Sequence, residues 1–209
     1  MEDEYSKFVG VVVFGDDTDI EIIDCDGTLV CNGSLSVHSD LKVRGGLNIS
    51  DDLEVEGSFY LEGGGNISGD VDVEGDFVVN GGINIDGSVD VKGEFRINGG
   101  ARIGGDLEVF GSSIIVGGID INGNVNVGGD LKIESHGSRE SIIIGDVDVS
   151  GDVFISGEKP IIIKGNLVAK GSVNLENVKI EGDLTASKIL LGENTKVMGV
   201  INEGYNIAL

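Results

Sequence analysis

The stretch that decides the fold reads Asp70-Val71-Asp72-Val73-Glu74-Gly75, then Asp76-Phe77-Val78-Val79-Asn80-Gly81, then Gly82-Ile83-Asn84-Ile85-Asp86-Gly87. Each hexad has two apolar residues at a spacing of two, and most hexads end in glycine. This alternation is typical of a short strand with one buried face, and glycine suits a corner where the backbone takes a positive φ. Consecutive hexads of this form fill residues 28–135, so the repeat predicts strands joined by corners.

A longer period shows how the hexads close. Glycine pairs recur every eighteen residues, and phenylalanine recurs at the same interval, at Phe59, Phe77 and Phe95. Three hexads therefore make one turn, and the phenylalanines are expected to stack as an internal ladder. The sequence predicts an all-β fold, a single-stranded parallel β-helix with three sides, about 18 residues per turn and about 9–10 turns. Antiparallel hairpins in a sandwich are the alternative, but six-residue units leave little room for their turns.

The domain organisation follows from where the repeat runs. Residues 1–15 lack it and are predicted to form a tail and an irregular cap strand. Residues 16–209 are predicted to form one β-helix domain, with regular hexads over 28–135 and a terminal coil over 194–209. Loop insertions near 136–141 and 158–160 both fall on the third hexad of a turn, so they are expected to protrude from the same side of neighbouring turns.

Composition limits the classes of function. There are 14 basic and 37 acidic residues, a formal charge of −23, which disfavours binding to nucleic acid or to anionic lipid. The acidic start and the short apolar run over 8–14 favour a cytoplasmic protein, and association with a membrane surface stays open. Cys25 and Cys31 occupy inward positions, which favours buried reduced thiols over a disulfide scaffold.

The outward positions suggest three different surfaces. One face is acidic and includes Asp52 and Glu54, which favours a solvated surface, with calcium binding as the alternative. The third face is expected to carry an asparagine ladder. The middle face is less polar and is the candidate lateral or partner surface, with outward residues Tyr60, Val78, Ile114, Val116 and Phe154. A local register shift near Ser113 would instead turn Ile114 inward.

Catalysis finds little support in the sequence. Left-handed hexapeptide-repeat acyltransferases share the spacing of the inward residues and use a histidine base between subunits. A trimeric enzyme of this kind, with His136 as the base, is the alternative function. A zinc site of the carbonic anhydrase kind needs three histidines, whereas this chain has only His38 and His136. No catalytic residue, metal or cofactor is predicted. A β-helix that binds carbohydrate or ions is a further alternative.

The runs over residues 69–79 and 105–109, Gly-Asp-Val-Asp-Val-Glu-Gly-Asp-Phe-Val-Val and Gly-Asp-Leu-Glu-Val, resemble bactofilins, polymer-forming cytoskeletal proteins of bacteria. The resemblance covers most of residues 28–199. It implies a right-handed β-helix that joins end to end into non-polar filaments without bound nucleotide. It also implies that the filaments scaffold partner proteins at the membrane or cell pole. The long core, the acidic start and the two insertions differ from the usual family pattern.

The ends of such a fold also favour assembly. The end turns of a β-helix leave main-chain groups unpaired, and stacking on a second copy pairs those groups and buries apolar surface. The sequence shows no clear cover for either end. The predicted function is therefore a structural protein that forms homopolymers. The candidate polymerisation contacts are Val200, Ile201, Tyr205, Ile207 and Leu209.

Overall fold

The computed structural model describes residues 5–136 and 140–204. These residues form an all-β solenoid in which parallel strands stack turn upon turn, with about 18 residues per turn. The predicted fold class is confirmed. Every pairing between described strands is parallel, and most residues face their equivalents one turn away, as Leu53 faces Val71.

The strands form two sheets. The 11-stranded sheet contains β2 (Thr18–Ile20), β4 (Leu35–Val37), β6 (Leu53–Val55), β8 (Val71–Val73), β11 (Val89–Val91), β14 (Leu107–Val109), β17 (Val125–Val127), β20 (Val147–Val149), β22 (Leu167–Ala169), β24 (Leu184–Ala186) and β27 (Ile201–Glu203). The 16-stranded sheet contains β1 (Tyr5–Phe14), β3 (Ile22–Cys31), β5 (Leu41–Ile49), β7 (Phe59–Ile67), β9 (Phe77–Asn80), β10 (Ile83–Ile85), β12 (Phe95–Asn98), β13 (Ala101–Ile103), β15 (Ser113–Val116), β16 (Ile119–Ile121), β18 (Leu131–Ser135), β19 (Ser141–Ile143), β21 (Val153–Ile163), β23 (Ser172–Ile180), β25 (Lys188–Leu191) and β26 (Lys196–Val197).

Two sheets make three faces because the larger sheet bends. Strand β5 runs through Gly45, where φ is 143°, so its two halves lie on different sides of the solenoid. The 11-stranded sheet forms the acidic face. The half of the larger sheet before this corner, including β9 and β12, is the middle face, and the half after it, including β10 and β13, is the third face.

The solenoid has about 11 turns, one for each strand of the acidic face, where the sequence predicted about 9–10. The added length lies outside the regular hexads. Strand β1 pairs with β3 residue for residue from Tyr5 to Phe14, and its Gly10 lies beside Gly27 at the same bent corner. At about 4.8 Å per turn the described rod is about 53 Å long.

The core is one continuous stack of inward side chains. Phe59, Phe77 and Phe95 form the expected ladder, with ring centroids 4.9 and 5.0 Å apart. Ser113 continues this column in register with Phe95 and is fully buried, while Ile114 points outward and is half-buried. The register shift that would turn Ile114 inward is therefore absent.

Glycine serves the corners in two ways. Gly81 and its equivalents between the middle and third faces have positive φ, as predicted. The prediction is wrong for the other two corners, because glycines such as Gly57 and Gly87 there do not have a positive φ. Those glycines are required by close packing instead, since a Cβ on Gly57 would overlap the main chain of Ser39 one turn earlier. Near Val178, where one residue is missing from the repeat, Asn177 turns the corner with φ 56°.

Side chains that come directly after the corners link successive turns. The Oδ1 atom of Asp52 accepts a hydrogen bond from the main-chain N–H of Asp70 at 2.8 Å, and Asp70 accepts one from Ser88 at 2.7 Å. A second ladder at the next corner includes Asp40, which accepts from the N–H of Ser58 at 3.0 Å. That hydrogen bond holds the pKa of Asp40 below its usual value. Many corner carboxylates are thus structural caps.

The two insertions leave and rejoin the solenoid at one corner in neighbouring turns, and residues 137–139 of the first lie outside the described residues. Ser135 pairs with Gly157 before the insertions, and Ser141 pairs with Ile161 after them. Ser135 and Ser141 are both buried, and their hydroxyl oxygens lie 2.9 Å apart. Ser141 Oγ also accepts a hydrogen bond from the N–H of Ile119 at 3.1 Å.

Candidate assembly surfaces

The carboxy-terminal end of the rod exposes the core. Leu191 continues the inward column of Leu175, and Ile201 continues that of Leu184. The two residues one turn earlier are fully buried, whereas Leu191 is 39% and Ile201 48% exposed, because no further turn covers them among the described residues. Two of the predicted contacts, Val200 and Ile201, lie on this exposed end.

The remaining predicted contacts at this end, Tyr205, Ile207 and Leu209, lie outside the described residues. The strands of the last turn each have one paired edge within the part of the chain that the structure describes. Strands β25 and β26 pair with β23, and β27 pairs with β24. The opposite edge of each strand presents main-chain groups that another strand could pair with. On β25 one of these groups already has a partner, since the N–H of Ile189 donates to Glu203 Oε1 at 3.0 Å.

The amino-terminal end is a second exposed core surface, which the repeat pattern did not predict. Phe8 and Phe14 face inward above Cys25 and Cys31 and are half-buried, with their rings edge to face at 6.0 Å. Among the described residues, β1 pairs with β3 alone. The missed signal was Gly10, seventeen residues before Gly27, which marks one more turn of the solenoid.

The middle face carries a column of outward residues with mixed character. In order of pairing it reads Asp24, Lys42, Tyr60, Val78, Arg96, Ile114, Lys132, Phe154, Asn174 and Leu190. Tyr60 and Val78 are neighbours, but Arg96 separates Val78 from Ile114, and Lys132 separates Ile114 from Phe154. Val116 lies in the adjacent column, beside Asn98 and Glu134. The predicted lateral residues are therefore divided by cations.

These cations lie against the aromatic rings. Lys42 Nζ is 5.4 Å from the ring centroid of Tyr60, and Lys132 Nζ is 5.9 Å from that of Phe154. Each lysine also pairs with a carboxylate on its own strand or corner, as Lys42 does with Asp40 at 2.9 Å. The hydrogen bond to Asp40 raises the pKa of Lys42. On the middle face, the charge of each of these lysines is therefore balanced by a neighbouring carboxylate.

The acidic face contains carboxylates with two roles. Asp52, Asp70 and Asp106 accept main-chain hydrogen bonds at the corners, whereas Glu54 and Asp72 point outward from strand centres. Burial, followed by the charge of Asp146, raises the pKa of Asp148 on the same face. Among the described residues, no group of three or more histidine, cysteine, aspartate or glutamate side chains is arranged to hold a metal ion.

The third face carries the polar ladder and a shallow groove. Asn84 Nδ2 donates to Asn66 Oδ1 at 3.0 Å, which is one rung of the predicted asparagine ladder. The groove has a volume of about 850 Å³ and runs from Asn66 past Arg102 to Ile142 and Lys164. Its floor includes exposed glycines such as Gly82, whose added Cβ would have nothing closer than 3.9 Å.

The two histidines lie in different settings. His38 bridges the first three turns, with Nε2 2.6 Å from Asp19 Oδ1 and Nδ1 2.9 Å from Glu56 Oε1. The hydrogen bond to Glu56, together with Asp19, raises the pKa of His38. His136 lies on the first insertion, and its Nδ1 is 3.6 Å from Oε1 of Glu158 on the second. Both members of that pair are exposed.

The two cysteines are free and fully buried, as predicted. Burial is the main cause that raises the pKa of the Cys25 thiol. Cys31 Sγ lies 3.4 Å from the carbonyl oxygen of Ser34, to which it donates a weak hydrogen bond. Both thiols pack beneath the first turn as small apolar groups.

Comparison with known proteins leaves the family open. No protein-family model matches the chain, and comparisons with curated proteins and with solved structures found no significant match. The resemblance to bactofilins therefore stays a prediction. The described residues include no helix long and apolar enough to cross a membrane.

Proposed function

We propose that this chain is a structural protein whose rods join end to end into filaments without bound nucleotide. The observation that carries the proposal is that the inward columns continue to both ends of the rod, where no other described residue covers their last side chains. At the carboxy-terminal end these are Leu191 and Ile201, and at the amino-terminal end Phe8 and Phe14. The resemblance to bactofilins supports the same function.

Apolar burial and strand pairing both favour an end-to-end joint. Full burial of a leucine or isoleucine side chain contributes about 1.5–3 kcal/mol, and Leu191 and Ile201 are only partly buried in the single rod. A stacked copy also pairs the outer edges of the end strands, as happens when a peptide adds to a sheet edge, with the next strand replacing Glu203 as the partner of the Ile189 N–H. One contact thus satisfies both the apolar and the main-chain groups of an end.

The proposal includes a cellular setting. A reducing cytoplasm suits two free thiols in a chain that has no other cysteine. A formal charge of −23 makes nucleic acid a poor partner and makes lateral bundling of filaments unfavourable at low salt. Such a filament would act as a scaffold for other proteins, and the exposed corner formed by the two insertions is a place where they could bind.

Sedimentation of purified protein over a range of concentrations tests the proposal. Wild-type protein is expected to sediment as assemblies that grow with concentration. Ile201→Arg places a charge in the proposed joint and is expected to reduce assembly strongly. Ile144→Arg is the matched control, because Ile144 is similarly exposed but lies in the middle of the rod. Wild-type protein that stays monomeric at every concentration and salt tested would refute the proposal.

A further inference from the structure

The two ends of the rod differ in charge. The first turn, residues 5–21, contains one lysine and four carboxylates, a formal charge of −3. The last turn, residues 188–204, contains two lysines and two glutamates, a formal charge of zero. Lys188 and Lys196 are exposed and have no ion pair within the described residues. A joint between two amino-terminal ends would bring like charges together, whereas a joint between unlike ends would not.

The inward columns are shared by both ends. One unbroken column begins at Phe8 and Cys25, passes through every turn of the middle face, and ends at Leu175 and Leu191. A second column on the third face begins at Phe14 and ends at Val197. Each column therefore has one partly covered apolar residue at each end of the rod.

A copy that continues the solenoid would bring these column ends together. Its Phe8 would lie on Leu191, its Phe14 on Val197 and its Thr18 on Ile201, with β1 continuing β25 and β26, and β2 continuing β27. This arrangement repeats the parallel pairing that every internal turn already uses. A joint between two like ends reverses the strand direction, so it would need antiparallel pairing that occurs nowhere in the described sheets.

We propose that the amino-terminal end of one copy binds the carboxy-terminal end of the next, so that the filament is polar. This inference rests on the proposed filament function and specifies which surfaces meet. It differs from the non-polar filament that the resemblance to bactofilins implies. The joint consists of parallel strand pairing around a shared apolar core. In this register Lys188 and Lys196 lie opposite positions 5 and 13 of the next copy, and the four carboxylates of the first turn lie opposite residues 199–204, where Glu203 is the one charged residue.

Two variants, each blocked at one end, test the proposal. Phe8→Arg blocks the amino-terminal end and leaves the other end free, whereas Leu191→Arg does the reverse. Native mass spectrometry, with one variant isotopically labelled, measures what each forms alone and in an equimolar mixture. The proposal predicts monomers of each variant alone and, in the mixture, dimers that contain one copy of each. Circular dichroism and thermal melting check that both variants fold.

A second pair of variants tests the same joint in case Phe8→Arg disturbs the folding of the first turn. Thr18→Arg and Ile201→Arg block the same two ends on the acidic face, and the same result is expected from them. If each variant alone forms dimers and the mixture gives no mixed dimer beyond random exchange, like ends join and the proposal is wrong. If wild-type protein itself stays monomeric, the proposed filament function fails, which is a distinct result.

Discussion

Gly81 packs directly against the main-chain carbonyl of Gly63, one turn earlier along the rod. Its φ is 147°, and a Cβ at this position would overlap that carbonyl oxygen. The neighbouring Gly82 has open space around it and no such conformation. Of the two glycines in the repeated pair, only the first is therefore required by the fold. The same contrast recurs at Gly99 and Gly100.

Alanine at the two positions should have opposite effects. Gly81→Ala is expected to lower the free energy of unfolding by more than about 1 kcal/mol, because the residue is strained and overlaps the turn below. Gly82→Ala should leave stability unchanged or raise it by about 0.4–1 kcal/mol, since it restricts only the unfolded chain. Denaturant unfolding under non-assembling conditions measures both. Equal losses at the two positions would show that the corner geometry is wrong.

A buried serine offers a second test. Ser113 Oγ is buried without a hydrogen-bond partner in the described structure, and Ser113 is in register with Phe95 one turn earlier. Ser113→Ala removes this unsatisfied hydroxyl and should raise the free energy of unfolding by about 1 kcal/mol. Ser141→Ala is the control, because it removes the acceptor of the Ile119 N–H and should lower stability by about 1 kcal/mol. Thermal melts of both variants show whether the two changes in stability have opposite signs.

The ladder of hydrogen bonds at the corners predicts that carboxylates of the acidic face differ in how much they stabilise the fold. Asp70→Ala removes the acceptor for the Ser88 N–H and should cost about 1 kcal/mol, as the loss of a helix cap does. Asp72 has no hydrogen bond or ion pair among the described residues, so Asp72→Ala should be neutral or slightly stabilising on this crowded acidic face. Urea unfolding at low salt measures the free energy of unfolding of both variants against wild type. A loss at Asp72 as large as at Asp70 would argue against the cap.

His38 should make the first three turns sensitive to pH. Its pKa is raised in the folded protein, so the protonated form stabilises the fold. The stabilisation is complete below the unfolded pKa of about 6.5 and disappears as the pH rises through the folded pKa. The stability difference between wild type and His38→Gln should therefore shrink as the pH is raised from 5.5 to about 9. A constant difference across that range would show that His38 does not carry this charge.

Much of the fold was predictable because the sequence repeat has the same periods as the strands and turns of the solenoid. The alternation in Val71 and Val73 gave the strands, and the spacing of Phe59, Phe77 and Phe95 gave three strands per turn. The first turn escaped prediction because β1 lacks the eighteen-residue glycine period, although Gly10 marks its corner. The φ values at corners such as Gly57 were mispredicted, since a requirement for glycine can come from packing between turns as well as from φ.

The assembly surfaces were only partly predictable. Val200 and Ile201 were recognised as apolar residues near the end of the chain, and they do lie at the end of the rod. The amino-terminal surface around Phe8 and Phe14 was not recognised, because inward and outward positions in β1 follow from its register on β3. The capping role of Asp70 was also hidden, since a corner carboxylate and a solvated one look alike in sequence.

Electron microscopy of the purified wild-type protein tests the central claim most directly. End-to-end joining predicts filaments with a longitudinal repeat of one rod, about 53 Å for about eleven turns at about 4.8 Å each. Strand spacing should continue across the joints at the same value, because the end strands pair as internal ones do. Discrete rods of that length at every concentration and salt would contradict the account.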